Sequence, residues 1–403
     1  MSELYDVIII GGGAGGMSAG VYAARGKMKT LIIEEKRKAG GQAATTDEME
    51  NYPGVLSATG PELMDAFRAH CDKFGVEFTK GIVNNISVAD DGYIKTLTTT
   101  KGEVFQAKSI IIGTGASPLI LGVPGENEFR GKGVSYCATC DADFFEELDI
   151  VVVGSGNTAV EESLFLTKFV NKITMIVRRD HGILAADRTA QEQAFANDKI
   201  NFVWNSVLDE ITGDELVNGV NVKNIKTGEI SHIESDGVFM FVGTVPKTDF
   251  IKGLIDLNSH GYIVTNDKQE TNIPGIYAVG DVTDKFLRQV VTAAGDGAVA
   301  AVAADRYIEE EDNWRKSVVD FDGTALVAFW APQNQDSIDV INQLETHNKG
   351  QAGKNVVTID IFKNQKIAKQ FNVSEIPVVI RFDAGQEAKR VNVKDLNELE
   401  TLY

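Results

Sequence analysis

The chain has 403 residues, a hydrophobic content of 43% and a formal net charge of −19. This length exceeds one ordinary domain and predicts two to four. The negative charge argues against unaided binding to nucleic acid or to an anionic membrane. Because the sequence has no run of about 18 apolar residues and no signal-peptide pattern, we expect a cytoplasmic protein without a membrane span.

A strand, a glycine turn and a helix open the chain. Residues 4–10 are apolar and β-branched, and residues 17–25 have a helical pattern. The turn between them contains Gly11, Gly13 and Gly16. This G-x-G-x-x-G arrangement lets a pyrophosphate approach the backbone at a helix N-terminus. The next strand ends at Glu34, whose carboxylate suits an unphosphorylated adenosine ribose. The pattern therefore predicts a dinucleotide site.

Two of the three cysteines form a C-x-x-C motif, Cys137 and Cys140, which Asp141 follows directly. The spacing is compatible with a redox disulfide, half of a zinc site or a structural disulfide. Zinc needs about four ligands, and neither Cys71 nor the five histidines supply a second paired motif. So short a loop restricts the unfolded chain little, so a structural disulfide is disfavoured. Redox chemistry is the favoured interpretation.

The strand-turn-helix pattern recurs at residues 149–168. Its turn contains Gly154, Gly156 and Ala159. The following strand ends at Arg178 and Arg179 instead of an acid. Guanidinium groups there suit a 2′-phosphate, although an exposed strand end is the alternative explanation. We predict FAD at the first site, NADPH at the second, and transfer of an electron pair from the flavin to the C-x-x-C pair.

These motifs resemble those of the low-molecular-weight, bacterial-type thioredoxin reductases. The resemblance covers residues 1 to about 312 and is carried by the stretches 11–16, 40–42, 50–54, 114–116, 137–141, 154–162, 280–281 and 288–289. It implies an α/β fold of the pyridine nucleotide-disulfide oxidoreductase type, with two Rossmann-like domains. The FAD-binding domain would consist of residues 1–118 and 246–312, and the NADPH-binding domain of residues 119–245. A homodimer is also implied.

The resemblance further implies roles for single residues. Cys140 would lie beside the flavin, Cys137 would attack the partner disulfide, and Asp141 would exchange the proton. Asp281 would meet the ribityl chain of FAD. The other residues expected at FAD from the matching stretches are Gln42, Asn51, Gly280, Arg288 and Gln289. The partner would be thioredoxin or a similar small redox protein, and the NADPH domain would rotate about hinges near residues 113–118 and 243–246.

Some residues depart from the family pattern. Val177 stands where a histidine usually precedes the arginine pair, a further arginine is displaced to Arg188, and Ala142 replaces a glycine. These departures weaken the inference of an NADPH preference and leave the fold inference intact. We interpret His181 as a surface histidine and Cys71 as a buried apolar residue.

About ninety residues follow the reductase-like part, after an expected acidic linker at residues 309–312. Strands are predicted at 325–330, 356–361 and 377–382, with helices at 337–347 and 365–371, which indicates a small α/β domain over residues 313–403. The segment resembles thioredoxin, with Pro377 at the position of its cis-proline. However, Asn334 and Ser337 occupy the positions of its cysteines, and Ala328 that of its buried aspartate. We expect this domain to dock a redox partner or a second copy; the alternative is a role in stability alone.

The favoured function is an NADPH-dependent reductase of a protein disulfide, most readily that of thioredoxin. A related enzyme would use NADH or ferredoxin as donor, or a glutaredoxin-like protein or peroxidase as acceptor. An alternative without turnover is a redox-sensing or scaffold protein.

Overall fold

The computed structural model describes residues 3–45, 49, 51–348 and 353–402. The chain forms two compact units, Met1–Asp305 and Arg306–Tyr403, and each contains its own buried apolar clusters. No helix within the described ranges is long and apolar enough to cross a membrane.

The first unit contains strands from three sheets and one short ribbon. In chain order the strands are β1 (Leu4–Ile10), β2 (Thr30–Glu34), β3 (Glu77–Lys80), β4 (Val83–Val88), β5 (Lys95–Thr99), β6 (Val104–Ile112), β7 (Ala116–Pro118), β8 (Val134–Ser135), β9 (Asp149–Val153), β10 (Lys172–Val177), β11 (Ile200–Trp204), β12 (Ser206–Gly213), β13 (Val217–Asn224), β14 (Ile230–Glu234), β15 (Gly237–Met240), β16 (Thr244–Pro246) and β17 (Ile276–Ala278). The helices are α1 (Ala14–Arg25), α2 (Gly60–Lys73), α3 (Ala138–Asp141), α4 (Asn157–Leu166), α5 (Arg188–Phe195) and α6 (Val290–Trp314), which continues into the second unit. Short 3-10 turns occur at Ala43–Thr45, Ala142–Phe145, Asp249–Ile251 and Gly280–Val282.

The first sheet brings four strand ends to one edge. Its strand order is β3-β2-β1-β6-β5-β4, and β17 also pairs with β6. β1, β2, β6 and β17 are parallel and carry apolar runs buried on both faces, as is usual for a sheet covered by helices. Ile10 pairs with both Ile33 and Ile112, and Ala278 pairs with Ile112. The segments that follow these strands therefore meet at the carboxyl edge of the sheet.

The second sheet has the order β11-β10-β9-β15-β8, and all its pairings are parallel. Val153 pairs with Ile176 and Met240, and Ser135 pairs with Phe239. The second glycine turn, the arginine pair and the C-x-x-C motif all follow strands of this one sheet. A three-stranded antiparallel sheet, β12-β13-β14, packs its apolar side against it.

The two chain segments expected as hinges lie side by side. β7 and β16 form a two-stranded antiparallel ribbon in which Ala116 pairs with Pro246 and Pro118 with Thr244. The chain therefore enters and leaves the part of the first unit that carries the second sheet through this ribbon.

The second unit contains β18 (Thr324–Trp330), α7 (Gln335–Asn348), β19 (Lys354–Asp360), α8 (Gln365–Gln370), β20 (Val378–Asp383) and β21 (Gln386–Asn392), with a π-helical turn at Arg315–Val319 and a 3-10 segment at Leu396–Leu402. The strand order is β19-β18-β20-β21, with β18 parallel to β19 and antiparallel to β20. The Ile376–Pro377 peptide bond is cis. β21 and the last 3-10 segment were not predicted.

The expected acidic linker at residues 309–312 is instead part of helix α6, so that prediction was wrong. Glutamate is a good helix former, and the residues just before the acidic run, Tyr307 and Ile308, are buried, as is Trp314 at the end of the helix. Buried apolar residues on both sides of the acidic run stabilise the helix through residues whose composition alone suggests a loop.

Candidate active site

The carboxyl edge of the first sheet opens into a cavity of about 1160 Å³. The C-x-x-C segment lines the same cavity. The predicted site residues found in its wall are Gly11, Gly13, Glu34, Gln42, Asn51, Cys137, Cys140, Asp141, Gly280, Asp281, Arg288 and Gln289. The fold thus brings residues up to 278 positions apart to one space. Glu50, which belongs to a stretch that carried the resemblance, lies outside the described residues.

The first glycine turn has the geometry that a pyrophosphate requires. A Cβ on Gly16 would overlap the carbonyl oxygen of Gly11, so the turn itself excludes a side chain there. A Cβ on Gly13 would have no protein atom within 4 Å, which leaves that side of the turn open to a ligand. Glu34 lies beside the turn, and its Oε2 accepts a hydrogen bond of 2.6 Å from the Gly12 N–H.

The opposite wall holds a buried carboxylate suited to a hydroxyl donor. Asp281 Oδ1 is buried and has no hydrogen-bond partner among the described residues. Burial raises the pKa of Asp281, and the cations Lys285 and Arg288 oppose this effect. An orphaned acceptor facing a cavity of this size fits the hydroxyl groups of a ribityl chain, so the residues present fit FAD.

Neighbouring groups hold this wall in place. Asp296 Oδ2 accepts a hydrogen bond of 2.9 Å from the Gly280 N–H and pairs with Lys285. The guanidinium of Arg288 lies 4.2 Å from the ring centre of Tyr262 and donates to the Thr283 carbonyl at 3.3 Å. The sequence did not single out Asp296, which acts on Gly280 from one helical turn and a half inside α6.

Cys137 and Cys140 form a disulfide with their Cα atoms 5.3 Å apart. Hydrogen bonds tie this segment to the flavin side of the cavity. Gln289 Nε2 donates to Thr139 Oγ1 at 2.9 Å and lies 4.0 Å from Cys137 Sγ. Asn51 Nδ2 donates to Gln289 Oε1 at 3.2 Å and to the Thr139 carbonyl at 3.4 Å. Asn51 and Gln289 therefore hold the disulfide segment against the wall of the cavity.

The carboxylate of Asp141 is bonded to a serine that sequence reasoning missed. Ser135 Oγ donates to Asp141 Oδ2 at 2.5 Å. Thr139 was also missed as a contact, although it lies inside the motif. The available signal for Ser135 was its place at the end of a strand two residues before Cys137, but strand ends are common and that signal is weak.

The second predicted dinucleotide site lies outside this cavity. Gly154 has a φ of +141°, a conformation that favours glycine, and Ala159 is fully buried against the turn. Gly156 is open on its ligand side, as Gly13 is. Arg178 and Arg179 are both exposed at the end of β10. The structure thus places this set together, apart from the disulfide.

Residues 180–188, which follow the arginine pair, contact other parts of the second sheet and its glycine turn. The side chain of Arg188 is 92% exposed and pairs with Glu192 on its own helix. The ring of His181 lies 5.4 Å from that of Trp204, and Asp180 pairs with Lys226. The 184–187 loop crosses the turn, since Ala185 N–H donates to the Ser155 carbonyl at 2.7 Å.

Two further predictions concern groups away from the chemistry. Cys71 is buried, its thiol donates to the Met17 carbonyl at 3.3 Å, and burial raises its pKa to about 12. Within the part of the chain that the structure describes, no group of three or more histidine, cysteine or acidic residues is arranged to hold a metal ion.

The fold and the site together define a class of protein. The parallel strands of two sheets each carry a glycine turn at the carboxyl edge, and a disulfide that follows the second sheet lines the cavity of the first. This is the architecture of flavoproteins that bind two dinucleotides and exchange electrons with a disulfide.

Comparison with known proteins identifies the family. The family model described as "Pyridine nucleotide-disulphide oxidoreductase" matches residues 5–297. Thioredoxin reductase from Peptoclostridium litorale is 48% identical over 317 residues, which cover 77% of this chain and 99% of that protein. The chain belongs to the pyridine nucleotide-disulphide oxidoreductase family. It is a flavoprotein disulfide reductase, and its cofactors are FAD and NADPH.

Solved structures of relatives agree with the fold. Thioredoxin reductase from Streptococcus pyogenes MGAS5005 is 44% identical, with a TM-score of 0.72 and coverage of 77% of this chain and 100% of that one. Thioredoxin reductase from Lactococcus lactis, described as the FR conformation, is 45% identical, with a TM-score of 0.54 and coverage of 76% and 99%. The predicted α/β fold with two Rossmann-like sheets is confirmed.

Proposed function

We propose that the chain passes electrons from NADPH through FAD and the Cys137–Cys140 disulfide to the disulfide of thioredoxin or a similar small redox protein. The observation that carries this proposal is the disulfide lying in the same cavity as Gly13, Asp281 and Gln289. The similarity to thioredoxin reductases over nearly their whole length supports the choice of acceptor.

We assign the cavity residues to different parts of the cofactor and to the C-x-x-C segment. Gly11 and Gly13, with Gly16 in the same turn, would hold the pyrophosphate of FAD, and Glu34 would bind the adenosine ribose. Asp281 would bind the ribityl chain, and Gly280 and Arg288 form the same part of the cavity wall. FAD, when bound, supplies a two-electron carrier between NADPH and the disulfide. Asn51 and Gln289 orient the C-x-x-C segment, while Gln42 donates to the Ala116 carbonyl at 3.3 Å beside the ribbon.

The two cysteines have different tasks in this proposal. Cys140 stays beside the flavin, and Cys137, as a thiolate, attacks the disulfide of the partner to form a mixed disulfide. Cys140 then resolves that bond and restores the Cys137–Cys140 disulfide. Asp141 exchanges the proton that the thiol form needs.

Four domain segments follow from this assignment: FAD-binding parts at 1–118 and 246–312, an NADPH-binding part at 119–245, and residues 313–403. Cys137 and Cys140 line the cavity that would hold the flavin, whereas Gly154 and Gly156, which would hold NADPH, lie outside it, so the two sets would have to exchange places during turnover. Rotation about the β7–β16 ribbon would exchange them. The TM-score is 0.54 against the Lactococcus lactis enzyme in the FR conformation and 0.72 against the Streptococcus pyogenes enzyme. The lower score supports an arrangement here that differs from the FR conformation.

The exposed guanidinium groups of Arg178 and Arg179 support a preference for NADPH over NADH, since a 2′-phosphate can reach both.

For the second unit we propose a thioredoxin-like domain without redox cysteines. In support, Asn334 directly precedes α7, and its Oδ1 accepts a hydrogen bond of 2.8 Å from the Ser337 N–H. The peptide bond before Pro377 is cis. We also propose a cytoplasmic homodimer, with no nucleic-acid or membrane partner, in which the second unit docks a redox partner or a second copy.

Single-turnover and steady-state kinetics test the proposal. NADPH should bleach the flavin absorbance faster than NADH does, and turnover should require an added thioredoxin disulfide. Cys140→Ser should accumulate a mixed disulfide through Cys137 that mass spectrometry identifies. Cys71→Ala is the matched control and should behave as the native enzyme. Faster bleaching by NADH would overturn the donor assignment, and no turnover with any thioredoxin would overturn the acceptor.

A further inference from the structure

Glu126 is a fully buried residue close to the point where the chain leaves the β7–β16 ribbon. Its Oε1 accepts hydrogen bonds of 3.2 Å from the Leu121 N–H and of 2.8 Å from the Tyr136 hydroxyl. Its Oε2 accepts one of 2.6 Å from the Gly122 N–H. A carboxylate that has left water needs such donors, so each of the three contributes to keeping it buried.

The two backbone donors lie directly beyond the ribbon on the outgoing crossing. The Leu119 N–H donates to the Gly243 carbonyl at 2.9 Å, which extends the pairing of the ribbon by one bond. The next bonded N–H is that of Leu121, which is held by Glu126. One residue, Ile120, therefore separates the ribbon from the carboxylate.

The returning crossing is equally short. The Phe241 N–H donates to the Val153 carbonyl of the second sheet at 2.9 Å, and the Gly243 carbonyl already belongs to the ribbon. Only Val242 lies between them. Gly243 has a φ of +116°, and a Cβ there would meet no atom within 4 Å, so nothing packs against its backbone on that side. Bending between the ribbon and the second sheet is therefore concentrated at Ile120 and at residues 242–243.

The segment that carries Glu126 is fastened to the antiparallel sheet. The Ile211 N–H of β12 donates to the Pro124 carbonyl at 2.9 Å. A Cβ on Gly125 would overlap the Ile211 carbonyl oxygen, so the backbone there lies directly against the strand. Since this sheet packs on the second sheet, Glu126 ties the outgoing crossing to the body that carries the second sheet.

The third donor connects the same carboxylate to the redox motif. Tyr136 directly precedes Cys137, and both residues line the cavity. The guanidinium of Arg130 lies 5.1 Å from the centre of the Tyr136 ring. Burial raises the pKa of Tyr136, and the hydrogen bond to Glu126 raises it further, so the hydroxyl keeps its proton and donates.

We propose that Glu126 is a positioning residue that joins the hinge to the redox motif. Its backbone bonds confine bending on the outgoing crossing to Ile120, and its bond to Tyr136 makes Cys137 move with the second sheet. The inference rests on the proposed rotation and on the proposed electron transfer from FAD to the disulfide. In that transfer the bond between Cys137 and Cys140 breaks, as the pair takes up two electrons and one proton from reduced FAD and a second proton from solvent. A sulfur that is held less firmly is less often in the reactive geometry, which slows this step.

The experiment measures two rates in the holoenzyme. The first is flavin reduction by NADPH after the disulfide has been reduced with dithiothreitol. The second is flavin reoxidation by the enzyme's own disulfide, started by flash photoreduction of the flavin in the oxidised enzyme. Both rates need the second sheet to reach the correct place, but only the second depends on the exact position of Cys137.

Tyr136→Phe removes the bond on the redox side and keeps both backbone bonds of Glu126. We expect flavin reoxidation to slow about fivefold or more, while flavin reduction by NADPH stays within about twofold of native. General destabilisation would not select one of the two rates. Tyr22→Phe, which removes a hydroxyl from a side chain that is 45% exposed, is the matched control and should leave both rates native.

Glu126→Gln tests the hinge side. Whichever way the amide is turned, its NH₂ group faces a backbone N–H of residue 121 or 122, so one hinge bond is lost. The Tyr136 hydroxyl can donate or accept and therefore keeps a partner. We expect both rates to fall about threefold or more, because the same body carries the nicotinamide and the disulfide. Glu128→Gln removes an exposed charge two residues away and should change neither rate.

The outcomes separate this inference from the proposed function. A native rate of reoxidation in Tyr136→Phe, or equal slowing of both rates, overturns the coupling to Cys137. Native rates in Glu126→Gln overturn the hinge role. If the native enzyme itself shows no reoxidation of its flavin by the disulfide, the proposed function fails and this inference fails with it. If Glu126→Gln loses FAD or melts early, Glu126→Asp, which keeps the charge and shortens its reach, is judged by the same criteria.

Discussion

Two carboxylates in the first unit have a buried oxygen without a hydrogen-bond partner among the described residues, and their settings differ. Asp281 Oδ1 faces the cavity, whereas Glu162 Oε2 lies on α4, whose inner side packs into the core of the second sheet. Burial raises the pKa of both groups. An unsatisfied acceptor costs stability in either place, but only at the cavity can a ligand compensate for it.

Asp281→Asn should therefore have opposite effects on the apo and holo proteins. The variant removes a charge that is costly to bury, so the FAD-free protein should melt at a higher temperature than native at pH 7. It also weakens the acceptor for a ribityl hydroxyl, so FAD affinity should fall about tenfold or more. Flavin content by absorbance and calorimetry of the apo protein measure the two effects. Asp284→Asn, an exposed neighbour, is the control and should change neither.

Glu162→Gln should stabilise the protein in a pH-dependent manner. Burial is the largest cause that raises the pKa of Glu162 above its ordinary value of 4.5, and Glu161 adds to it. The native state thus holds this proton more tightly than the unfolded chain, so the native protein loses stability as pH rises above that ordinary value. The variant should gain about 1 kcal/mol at pH 7 and lose this advantage below about pH 4.5.

Urea unfolding at several pH values measures this difference. Glu161→Gln removes an exposed charge from the same helix and should give a smaller change. A gain of the same size at low and neutral pH would contradict the explanation, because only a titrating group gives a gain that disappears in acid.

At the scale of elements, the two strand-turn-helix units were predictable because their geometry tolerates few residue types. Gly16 and Gly154 are required by close backbone approach or by left-handed φ, and the strands before them are apolar on both faces. The contacts of Ser135 and Thr139 were not predictable, since they depend on where β8 and α3 lie relative to residues 51 and 289. Residues 309–312 of α6 were predicted to be a linker because this acidic run resembles a loop in composition. The buried ends of α6, which sequence alone does not reveal, keep it helical.

Gly13→Ala and Gly16→Ala should separate ligand binding from folding in the first turn. A Cβ at residue 16 would overlap the Gly11 carbonyl, so that variant should lose both stability and FAD. A Cβ at residue 13 meets no protein atom within 4 Å and sits at φ −76°, so that variant should fold normally. It should nevertheless bind FAD about tenfold or more weakly, because the methyl group points to the ligand side.

Thermal melting of the apo proteins and titration with FAD measure the two properties. The expected result is a normal melting temperature with weak binding for Gly13→Ala, and a low melting temperature for Gly16→Ala. Equal loss of stability in both variants would mean that the open side of the turn does not face the ligand.

At the scale of the whole molecule, the chain is a reductase-like unit followed by a second unit with separate apolar cores. The thioredoxin reductases from Peptoclostridium litorale and Streptococcus pyogenes each cover 77% of the chain. The sequence of the second unit predicted three strands and two helices correctly, because each apolar run is short and bounded by polar segments. β21 was missed since its residues are almost all exposed and polar, and pairing with β20 rather than burial makes it a strand.

Separate cores predict separate unfolding. FAD binds only the first unit in our assignment, so saturating FAD should raise the melting temperature of that unit and leave the second unchanged. Trp314→Ala should destabilise the second unit selectively, because the indole is 7% exposed and its ring lies 5.3 Å from Phe371 and 5.8 Å from Phe382. Loss of a buried tryptophan costs about 3–5 kcal/mol.

Differential scanning calorimetry of the full chain, with and without added FAD, should resolve the two transitions. Phe362→Ala, which truncates a side chain that is 61% exposed in the same unit, is the control and should shift neither. Flavin reduction by NADPH should stay at the native rate in both variants. A single transition that both FAD and Trp314→Ala shift would show instead that the two units unfold as one cooperative body.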